Sequence, residues 1–376
     1  MRILLATSSL ASHHCAMVPF GWAALADGHE VRLATSPELT AAAARSGLPV
    51  VPVGPAVDFP ALHKDLVRQV AEEGVRYDPK LLFCSVAEAM ADGLLELARS
   101  WRPDVVVWDP ATLAAPLAAQ AVGARSVRYL WGLDMLGRGT TLTERLPARF
   151  RQLYDRYGVQ LADDPDWWTF DPSPPSVWPV TTGTRHPVRY VPFSPNGEPP
   201  AWLFAARTRP RVCLTFGSGI TVKELVADGG FGSSPVVRAV TGLDVEVVLA
   251  VAPADRAALG TLPDGVRVVS DCPLSTLLPT CAAVVHHGGN GTLLTAALLG
   301  VPQVVLSYMP DLRFSAEAFA GSGAVAHLPA DQVTYESVRD QVFRALNDPS
   351  VRGAAGAVRA EMLAQPLPGA LLARFN

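Results

Sequence analysis

Two histidines and three glycines lie together in the stretch VVHHGGNGTLL, residues 284 to 294. Val284 and Val285 predict the end of a buried strand, and the spacing of the later apolar residues predicts a helix. The apolar face of that helix would consist of Leu293, Leu294, Ala297 and Leu298. A turn without bulky side chains leaves backbone N–H groups open at a helix N-terminus, where the helix dipole favours negative charge. The stretch therefore predicts an anion-binding site.

The first half of the chain alternates strand and helix patterns. Strand patterns occur in RILLATS, GHEVRLATS, LPVVPVG, PDVVVWD and ARSVRYLW. Helix patterns cover residues 17 to 27, 86 to 100 and about 112 to 122, and another helix starts at Ser36-Pro37 and stops at Gly47. This alternation predicts an α/β fold with a doubly wound parallel sheet.

Residues 163 to 210 have a different composition. They are rich in proline, as in DPSPPSVWPV and VPFSPNGEPPAW, which predicts a connecting segment with little regular structure. Strand patterns then resume in RVCLTF, VEVVLAV, VRVVS, AAVVHH and PQVVLSY. The chain is therefore predicted to form two α/β domains of similar size, with a ligand in the cleft between them.

Length and composition exclude several classes of protein. The 376 residues suffice for two domains, and a net charge of -4 without long runs of one sign argues against nucleic-acid binding. No apolar run reaches the ~18 residues of a membrane span, and MRILLATSSL is better explained as a first strand than as a signal peptide. The five cysteines have no CxxC spacing, which indicates a reduced, cytoplasmic protein without structural zinc.

Two common nucleotide-binding motifs are missing from the sequence. The first predicted turn, TSSLASHH, has no glycine, and TFGSGITVK has two glycines without a third in register. NAD or FAD is therefore disfavoured. The chain also lacks a G-x-x-x-x-G-K-[ST] loop, which disfavours a P-loop kinase.

A family resemblance rests on six stretches that together span nearly the whole chain. They are SHHCAMVPFGWAALADGHEV, LWGLD, VRYVPF, RVCLTFGS, CPLSTLLPTCAAVVHHGGNGT and GVPQVVLSYMPDL, and the block from Cys272 to Leu312 is the most specific. The chain resembles the inverting GT-B glycosyltransferases (family 1), and more narrowly the deoxysugar transferases of actinobacterial polyketide and antibiotic pathways. The resemblance implies two Rossmann-like, doubly wound parallel-sheet domains that face a central cleft.

The resemblance assigns a donor-binding site to the second domain. His287 matches the histidine that contacts the donor diphosphate, and such donors stabilise the leaving group as its charge grows, without a metal. Gly217, Ser218 and Gly219 match a second phosphate loop, although alone they would be an ordinary Gly-Ser turn. The backbone of Pro273 and Leu274 matches the edge that meets the pyrimidine. The remaining predicted donor-site residues of the turn are His286, Gly289, Asn290, Gly291 and Thr292.

Asp311 matches the acidic residue that hydrogen-bonds hydroxyl groups of the donor sugar. The family often has glutamine at the next position, where this chain has Leu312. Leucine has no hydrogen-bonding side-chain atoms, so a sugar with fewer hydroxyl groups would leave fewer polar groups unpaired against it. This substitution favours a deoxysugar over glucose.

The resemblance places the base in the first domain. His13 matches the first-loop histidine, which would take the proton of the acceptor hydroxyl, and Asp109 matches the aspartate that orients that histidine. Two alternatives for the base stay open. His14 stands where relatives usually have an apolar residue, and Asp134 is a carboxylate near the expected acceptor pocket.

The sequence thus predicts an acceptor-binding domain (1–195), a linker (196–210), a nucleotide-sugar-binding domain (211–360) and a C-terminal segment (361–376) that crosses back to the first domain. The resemblance implies a dTDP-activated 6-deoxyhexose as donor and a hydrophobic polyketide-type aglycone as acceptor, with no further cofactor and no metal. No nucleic acid or membrane partner is expected. A homodimer and an auxiliary activator protein stay open, as do two rival functions, a nucleotide-sugar epimerase and a non-catalytic transferase partner.

Overall fold

The structure is a computed structural model. It describes residues 1–74, 78, 80–134, 147–160, 168–179, 184–194, 197–217 and 231–375, with backbone only at 310 and 311. Contacts between Cα atoms divide the chain into two compact units. Unit 1 comprises Met1–Asp171, Val180–Val188 and Pro366–Asn376, and unit 2 comprises Pro172–Pro179 and Arg189–Gln365. The domain boundaries inferred from the sequence stay a prediction.

Unit 1 contains a parallel sheet whose strands follow the order β3-β2-β1-β4-β5-β6-β7 in the described residues. The strands are β1 Arg2–Ala6, β2 Glu30–Thr35, β3 Val50–Pro52, β4 Val105–Trp108, β5 Arg125–Tyr129, β6 Trp168–Asp171 and β7 Arg185–Pro187. The central strands β1 and β4 are almost continuously apolar and buried, as expected for a parallel sheet that is covered on both faces.

The helices of unit 1 pack against this sheet. They are α1 Ala11–Ala26, α2 Thr40–Ala44, α3 Phe59–Glu73, α4 Lys80–Trp101, α5 Ala114–Val122 and α6 Ala148–Arg156, with 3-10 helices at Pro37–Leu39 and Pro368–Phe375. Helices α1 and α5 are largely buried. Within unit 1, the C-terminal 3-10 helix contacts α1, and Phe375 stacks on Trp168 with ring centroids 5.9 Å apart.

Two sequence-based predictions about unit 1 were wrong. Helix α1 begins at Ala11 rather than at residue 17, because the N–H groups of His13 and His14 both donate to the carbonyl of Leu10 and extend the first turn. The proline-rich segment was expected to have little regular structure, yet it contributes β6 and β7. These strands are short and have no local apolar pattern. They form because β6 pairs with β5 and β7 pairs with β6.

Unit 2 contains a second parallel sheet, with the strand order β10-β9-β8-β11-β12-β13 in the described residues. The strands are β8 Arg211–Thr215, β9 Glu246–Val251, β10 Arg267–Ser270, β11 Ala283–His286, β12 Gln303–Ser307 and β13 Val325–Pro329. The first five confirm the strands predicted from the sequence. Strand β13 was missed, because His327 interrupts its apolar run.

The α-helices of unit 2 are α7 Pro235–Thr241, α8 Leu274–Leu277, α9 Asn290–Leu299, α10 Pro310–Ala320, α11 Tyr335–Asn347 and α12 Pro349–Ala364. Its 3-10 helices are Ala201–Phe204, Phe231–Ser233, Pro253–Leu259, Leu278–Thr280 and Ala330–Gln332. The predicted apolar face of α9 is confirmed, since Leu293, Leu294, Ala297 and Leu298 are all buried. No helix in the described part of the chain is long and apolar enough to cross a membrane.

Each sheet reverses its winding direction once. In unit 1 the reversal lies between β1 and β4, and in unit 2 between β8 and β11. Loops after the carboxyl ends of such neighbouring strands diverge to opposite faces and leave a crevice, where ligands of open α/β sheets bind. His13, Asp109, Gly217 and His287 lie in the segments that follow these four strands.

Two helical glycines provide a matched test of the packing. A Cβ atom at Gly93 in α4 would lie 2.7 Å from the backbone nitrogen of Gly54, whereas a Cβ atom at Gly356 in α12 would meet no atom within 4 Å. We expect Gly93→Ala to lower the free energy of unfolding by about 1–3 kcal/mol through overpacking. Gly356→Ala should raise it by about 0.5–1 kcal/mol, because alanine is the better helix former.

Urea unfolding of the two variants and the wild type measures both effects. Equal stability of the two variants would contradict the close approach of α4 to Gly54.

Candidate functional site

Unit 1 contains one candidate site, a buried histidine–aspartate pair. His13 lies on the first turn of α1 after β1, and Asp109 directly follows β4. Because β1 and β4 pair in parallel, the two side chains meet at one sheet edge, with His13 Nδ1 3.0 Å from Asp109 Oδ1. His13 is 6% and Asp109 0% exposed. The structure thus brings together the two residues that the sequence paired.

Asp109 is held as a carboxylate by its surroundings. Burial by itself raises the pKa of Asp109, but the positive charge that His13 can carry, together with several hydrogen bonds, outweighs it and lowers this pKa below its ordinary value. The hydroxyl of Thr112 donates to Oδ2 at 2.5 Å, and the backbone N–H groups of Ala111 and Ser8 donate at 2.9 and 3.3 Å. A carboxylate held in this way fixes the imidazole tautomer with Nδ1 protonated, which leaves Nε2 of His13 to accept a proton.

The two alternative bases have different surroundings. Burial lowers the pKa of His14 to about 4, so His14 is a weak base near neutral pH. Both carboxylate oxygens of Asp134 accept from Arg128, Oδ2 from Nη2 at 2.6 Å and Oδ1 from Nη1 at 3.3 Å. These contacts favour His13 over both alternatives.

Unit 2 contains a separate candidate site, which surrounds His287 directly after β11. A Cβ atom at Gly217 would lie 2.8 Å from Cε1 of His287, and one at Gly289 would lie 2.6 Å from Nε2. Gly217 has a φ of +73°, which also favours glycine. The imidazole therefore fits between two stretches of backbone that only glycine allows to approach so closely. Ser218 and Gly219 lie outside the described residues.

Burial lowers the pKa of His287 to about 4, although a hydrogen bond to the backbone of Thr215 works in the opposite direction. His287 is therefore neutral near pH 7 and carries a single N–H, which can bond the backbone of Thr215 or turn to an anion that binds beside it. A neutral donor suits an anion that arrives with its own charge, because no buried positive charge has to be maintained before the anion binds.

His286, a predicted donor-site residue, uses its ring to make contacts within the protein. It is completely buried, its Nε2 lies 2.9 Å from Oε1 of Gln303, and its Nδ1 accepts the N–H of Gly288 at 3.1 Å. Gln303 in turn donates to the carbonyl of Leu293 in α9 at 3.3 Å. Both ring nitrogens are thus used inside the protein, and His286 positions the turn that carries His287.

Helix α9 begins immediately after this turn, with Gly289 as its N-cap. Asn290, Gly291 and Thr292 form its first turn, where backbone N–H groups are not used by the helix itself. The carbonyl of Gly291 accepts from Thr295 Oγ1 at 2.6 Å and from the hydroxyl of Tyr190 at 3.3 Å, which holds the first turn in place. Anions bind at such helix N-termini.

Leu312 lies next to this turn. A Cβ atom at Gly288 would be 3.6 Å from Cβ of Leu312, so the first turn of α10 packs against the glycines that follow His287. Asp311 belongs to the same turn of α10. The structure therefore brings the predicted sugar-contacting segment to the predicted diphosphate-contacting turn.

Pro273 and Leu274 lie at the start of α8, and Pro273 is its N-cap. A Cβ atom at Gly197 would be 2.0 Å from Cδ of Pro273, so the chain before β8 passes directly over this proline. The preceding Asp271 has a φ of +55°, an uncommon conformation for a residue with a side chain. The described residues contain no group of three or more His, Cys, Asp or Glu side chains placed to hold a metal.

Comparison with known proteins identifies the family. Residues 22–217 match the N-terminal domain of the erythromycin biosynthesis protein CIII-like family, and residues 234–375 match its C-terminal domain. The chain belongs to this family.

Named relatives of this protein are glycosyltransferases. It is 35% identical to 10-deoxymethynolide desosaminyltransferase of Streptomyces venezuelae, over 99% of this chain and 96% of that one. It is 34% identical to aclacinomycin-T 2-deoxy-L-fucose transferase of Streptomyces galilaeus, over 98% of this chain and 94% of that one. The resemblance to actinobacterial deoxysugar transferases of antibiotic biosynthesis is thereby confirmed. This protein is a glycosyltransferase.

Solved structures extend the similarity to the fold. The crystal structure of the glycosyltransferase VinC in complex with dTDP has a TM-score of 0.83 at 33% identity, and covers 100% of this chain and 98% of that one. Spinosyn rhamnosyltransferase SpnG complexed with spinosyn aglycone has a TM-score of 0.82 at 31% identity, and covers 100% and 99%. These similarities confirm the predicted GT-B fold with two parallel-sheet α/β domains.

Sequence reasoning assigned no role to three residues that shape the two candidate sites. Tyr190 and Gln303 support the turn around His287, and Trp131 stacks on His13 with ring centroids 3.7 Å apart and planes 13° from parallel. Tyr190 lies in VRYVPF and Trp131 in LWGLD, so the family resemblance had marked both stretches. Their partners are distant in the sequence, and no local pattern could reveal them.

Because buried histidines of unit 2 are neutral, we expect the free energy of unfolding of this protein to depend on pH. Burial lowers the pKa of His286 to about 3, whereas a histidine in the unfolded chain has a pKa of about 6.5. Between these values the unfolded state binds a proton that the folded state does not, so stability falls as pH falls. We expect His286 to contribute a loss of about 1.4 kcal/mol per pH unit below pH 6.

Urea unfolding at pH 7.5, 6 and 5 tests this with His286→Gln, which cannot take up the proton. The variant should be less stable at pH 7.5 but should lose stability less steeply. The same slope in both proteins would refute a neutral buried His286.

Proposed function

We propose that this protein is an inverting glycosyltransferase that moves a 6-deoxyhexose from a dTDP-sugar to a hydroxyl group of a hydrophobic, polyketide-type aglycone. The observation that carries the proposal is the insertion of neutral His287 between Gly217 and Gly289 at the N-terminus of α9. Unit 2 would bind the donor and unit 1 the acceptor.

The diphosphate of the donor suits the chemistry around His287. The imidazole supplies one N–H, the first turn of α9 supplies backbone N–H groups, and the helix dipole adds partial positive charge. These donors stabilise negative charge that grows on the departing diphosphate, which is the main electrostatic demand of the reaction. The proposal needs no metal for this purpose. The similarity to VinC, whose crystal structure is a complex with dTDP, supports this choice of nucleotide.

A deoxysugar fits the neighbouring residue. Leu312 packs beside Gly288, so an apolar side chain adjoins the proposed diphosphate site. A hydroxyl group of the sugar that faced Leu312 would lose its hydrogen bonds to water without replacement. Asp311, one residue earlier, would hydrogen-bond a hydroxyl group that the sugar retains.

The acceptor would be activated by His13. The acceptor hydroxyl gives its proton to Nε2 of His13, while Asp109 stabilises the imidazolium through Nδ1. The acceptor oxygen forms a bond to the anomeric carbon as the bond from that carbon to the diphosphate oxygen breaks. The diphosphate leaves with the bonding electron pair, and attack from the opposite face inverts the anomeric configuration.

Nucleotide binding gives the first test of the donor site. At about 100 times its dissociation constant, dTDP should stabilise the folded protein by about 2.7 kcal/mol, and UDP should stabilise it less. His287→Ala should lose this stabilisation, because it removes the N–H that contacts the diphosphate. Thermal unfolding with and without each nucleotide measures the effect.

His63→Ala provides a control for that experiment, since His63 lies on α3 of unit 1. It should keep the stabilisation by dTDP. If neither nucleotide stabilised the wild type, the donor assignment would be wrong.

Transfer assays test the proposed base. We expect His13→Ala to lower kcat by about 10²–10⁴-fold, the usual contribution of a general base. Stabilisation by dTDP should stay unchanged, because His13 would not bind the donor. The assay measures glycosylated product by chromatography with a dTDP-6-deoxyhexose and a macrolide-type aglycone.

His14→Phe is the matched control, because it replaces a neighbouring histidine of the same buried helix turn. It should keep transfer within about 10-fold of wild type, whereas His13→Ala should not. Full activity of His13→Ala would disprove the base assignment.

A further inference from the structure

The imidazole of His13 is held on a ring face as well as on an edge. Asp109 contacts its Nδ1 edge at 3.0 Å, and the indole of Trp131 stacks on its face, with centroids 3.7 Å apart and an interplanar angle of 13°. Asp109 follows β4, whereas Trp131 follows the neighbouring strand β5. Two adjacent strands of one sheet therefore fix the ring in two perpendicular directions.

The turn that carries Trp131 is itself anchored. Arg128 at the end of β5 forms a two-point ion pair with Asp134, and both side chains are largely buried, at 12% and 3% exposure. Arg128 also donates to Thr169 Oγ1 on β6, from Nε at 3.2 Å and from Nη2 at 3.1 Å. The N–H of Leu130 donates to the carbonyl of Phe170 at 2.9 Å. Trp131 is thus fixed between two points that are tied to the sheet.

From this arrangement we propose that Trp131 is a positioning residue for the His13 base, and that Arg128 and Asp134 hold Trp131 in place. The proposal rests on the proposed function of His13. It gives Asp134 the task of an anchor instead of the alternative task of a base. Because both of its oxygens already accept from Arg128, Asp134 is engaged within the protein rather than directed at a substrate.

The stack serves the reaction in two ways. The face of an indole is electron-rich, so it attracts the imidazolium that forms when His13 takes the proton of the acceptor. The stack also restricts rotation of the ring, which otherwise has a broad torsional preference, and so keeps Nε2 directed at one position. Both effects act on the proton transfer and not on binding of the donor.

Other ionisable groups of unit 1 lie on the segments around His13. Asp109 contacts His13 directly, and Arg128 pairs with Asp134 so that their charges largely compensate each other. Burial lowers the pKa of His14 to about 4 and raises that of Cys15 to about 11, so both stay neutral through an assay from pH 5.5 to about 9. A shift in the acid limb of the activity profile therefore reports on His13 and its contacts.

The test measures kcat/KM as a function of pH for Trp131→Phe, Trp131→Leu and wild type. On the acid side of the profile, kcat/KM falls to half its maximum at a certain pH. In Trp131→Leu this pH should be lower than in the wild type by about 0.5–1 unit, because without the indole the imidazolium is less stabilised. Trp131→Phe should lie between the two, since phenyl offers a weaker face than indole. The kcat of Trp131→Leu should fall about 10-fold, whereas KM for the acceptor should change less than about twofold.

Asp134→Asn tests the anchor. We expect a smaller change in the same direction as in Trp131→Leu, because the weakened ion pair loosens the turn. A loss of about 10²–10⁴-fold, as large as that of His13→Ala, would mean that Asp134 acts as a base and would overturn the proposal.

The proposal for Trp131 would also be overturned if kcat/KM reached half its maximum at the same acid-side pH in wild type, Trp131→Phe and Trp131→Leu. A raised KM with an unchanged kcat would overturn it too, because Trp131 would then only line the acceptor pocket. Thermal unfolding with dTDP shows whether Trp131→Leu folds. If it does not, the pH profile of Trp131→Phe compared with that of the wild type decides whether the proposal holds. Failure of the proposed function would be a different result, because His13→Ala would then keep full activity.

Discussion

The pairing of β1 with β4 and of β8 with β11 determines where chemistry can occur in this protein. Each pair marks the point at which a parallel sheet reverses its winding, so the loops that follow the paired strands diverge and leave a crevice. In unit 1 the pairing brings His13 to Asp109 although 96 positions separate them in the chain. In unit 2 it brings the backbone at Gly217 against the imidazole of His287. The other contacts described above adjust the orientation of side chains whose positions these two strand pairs determine.

The two units place histidine in different electrostatic surroundings. In unit 1, a buried carboxylate with four hydrogen bonds faces His13, and an aromatic ring covers its face, so a positive charge on the imidazole is stabilised. In unit 2, burial lowers the pKa of His286 and His287, and no carboxylate contact accompanies either ring among the described residues. One environment is suited to accept a proton and the other to donate a hydrogen bond to an anion. In the proposed reaction the same type of side chain serves two functions, because the surrounding charge differs.

Glycine and buried polar groups together build the turn around His287. Gly217 and Gly289 leave room for the imidazole, while His286, Gln303 and the carbonyl of Leu293 form a chain of hydrogen bonds that ties β11, β12 and α9 together. Tyr190 adds a contact from the segment before β8. A turn of small residues is inherently flexible, and this network restricts it without filling the space that a ligand needs.

The sequence by itself determined the α/β class, most strands, the helix after His287 and the family, because these depend on local periodicity and on a long contiguous block of motif residues. It missed β6 and β7 within residues 163 to 210, because strands of four and three residues are too short to show a period and are stabilised by pairing with the sheet. It favoured His13 as the base and kept His14 and Asp134 as alternatives. Only the tertiary structure shows how the surroundings of these three residues differ, because it buries His14, pairs Asp134 with Arg128 and places Asp109 and Trp131 on His13. Burial and partners come from strands distant in the sequence, and the chemical character of a side chain depends on both.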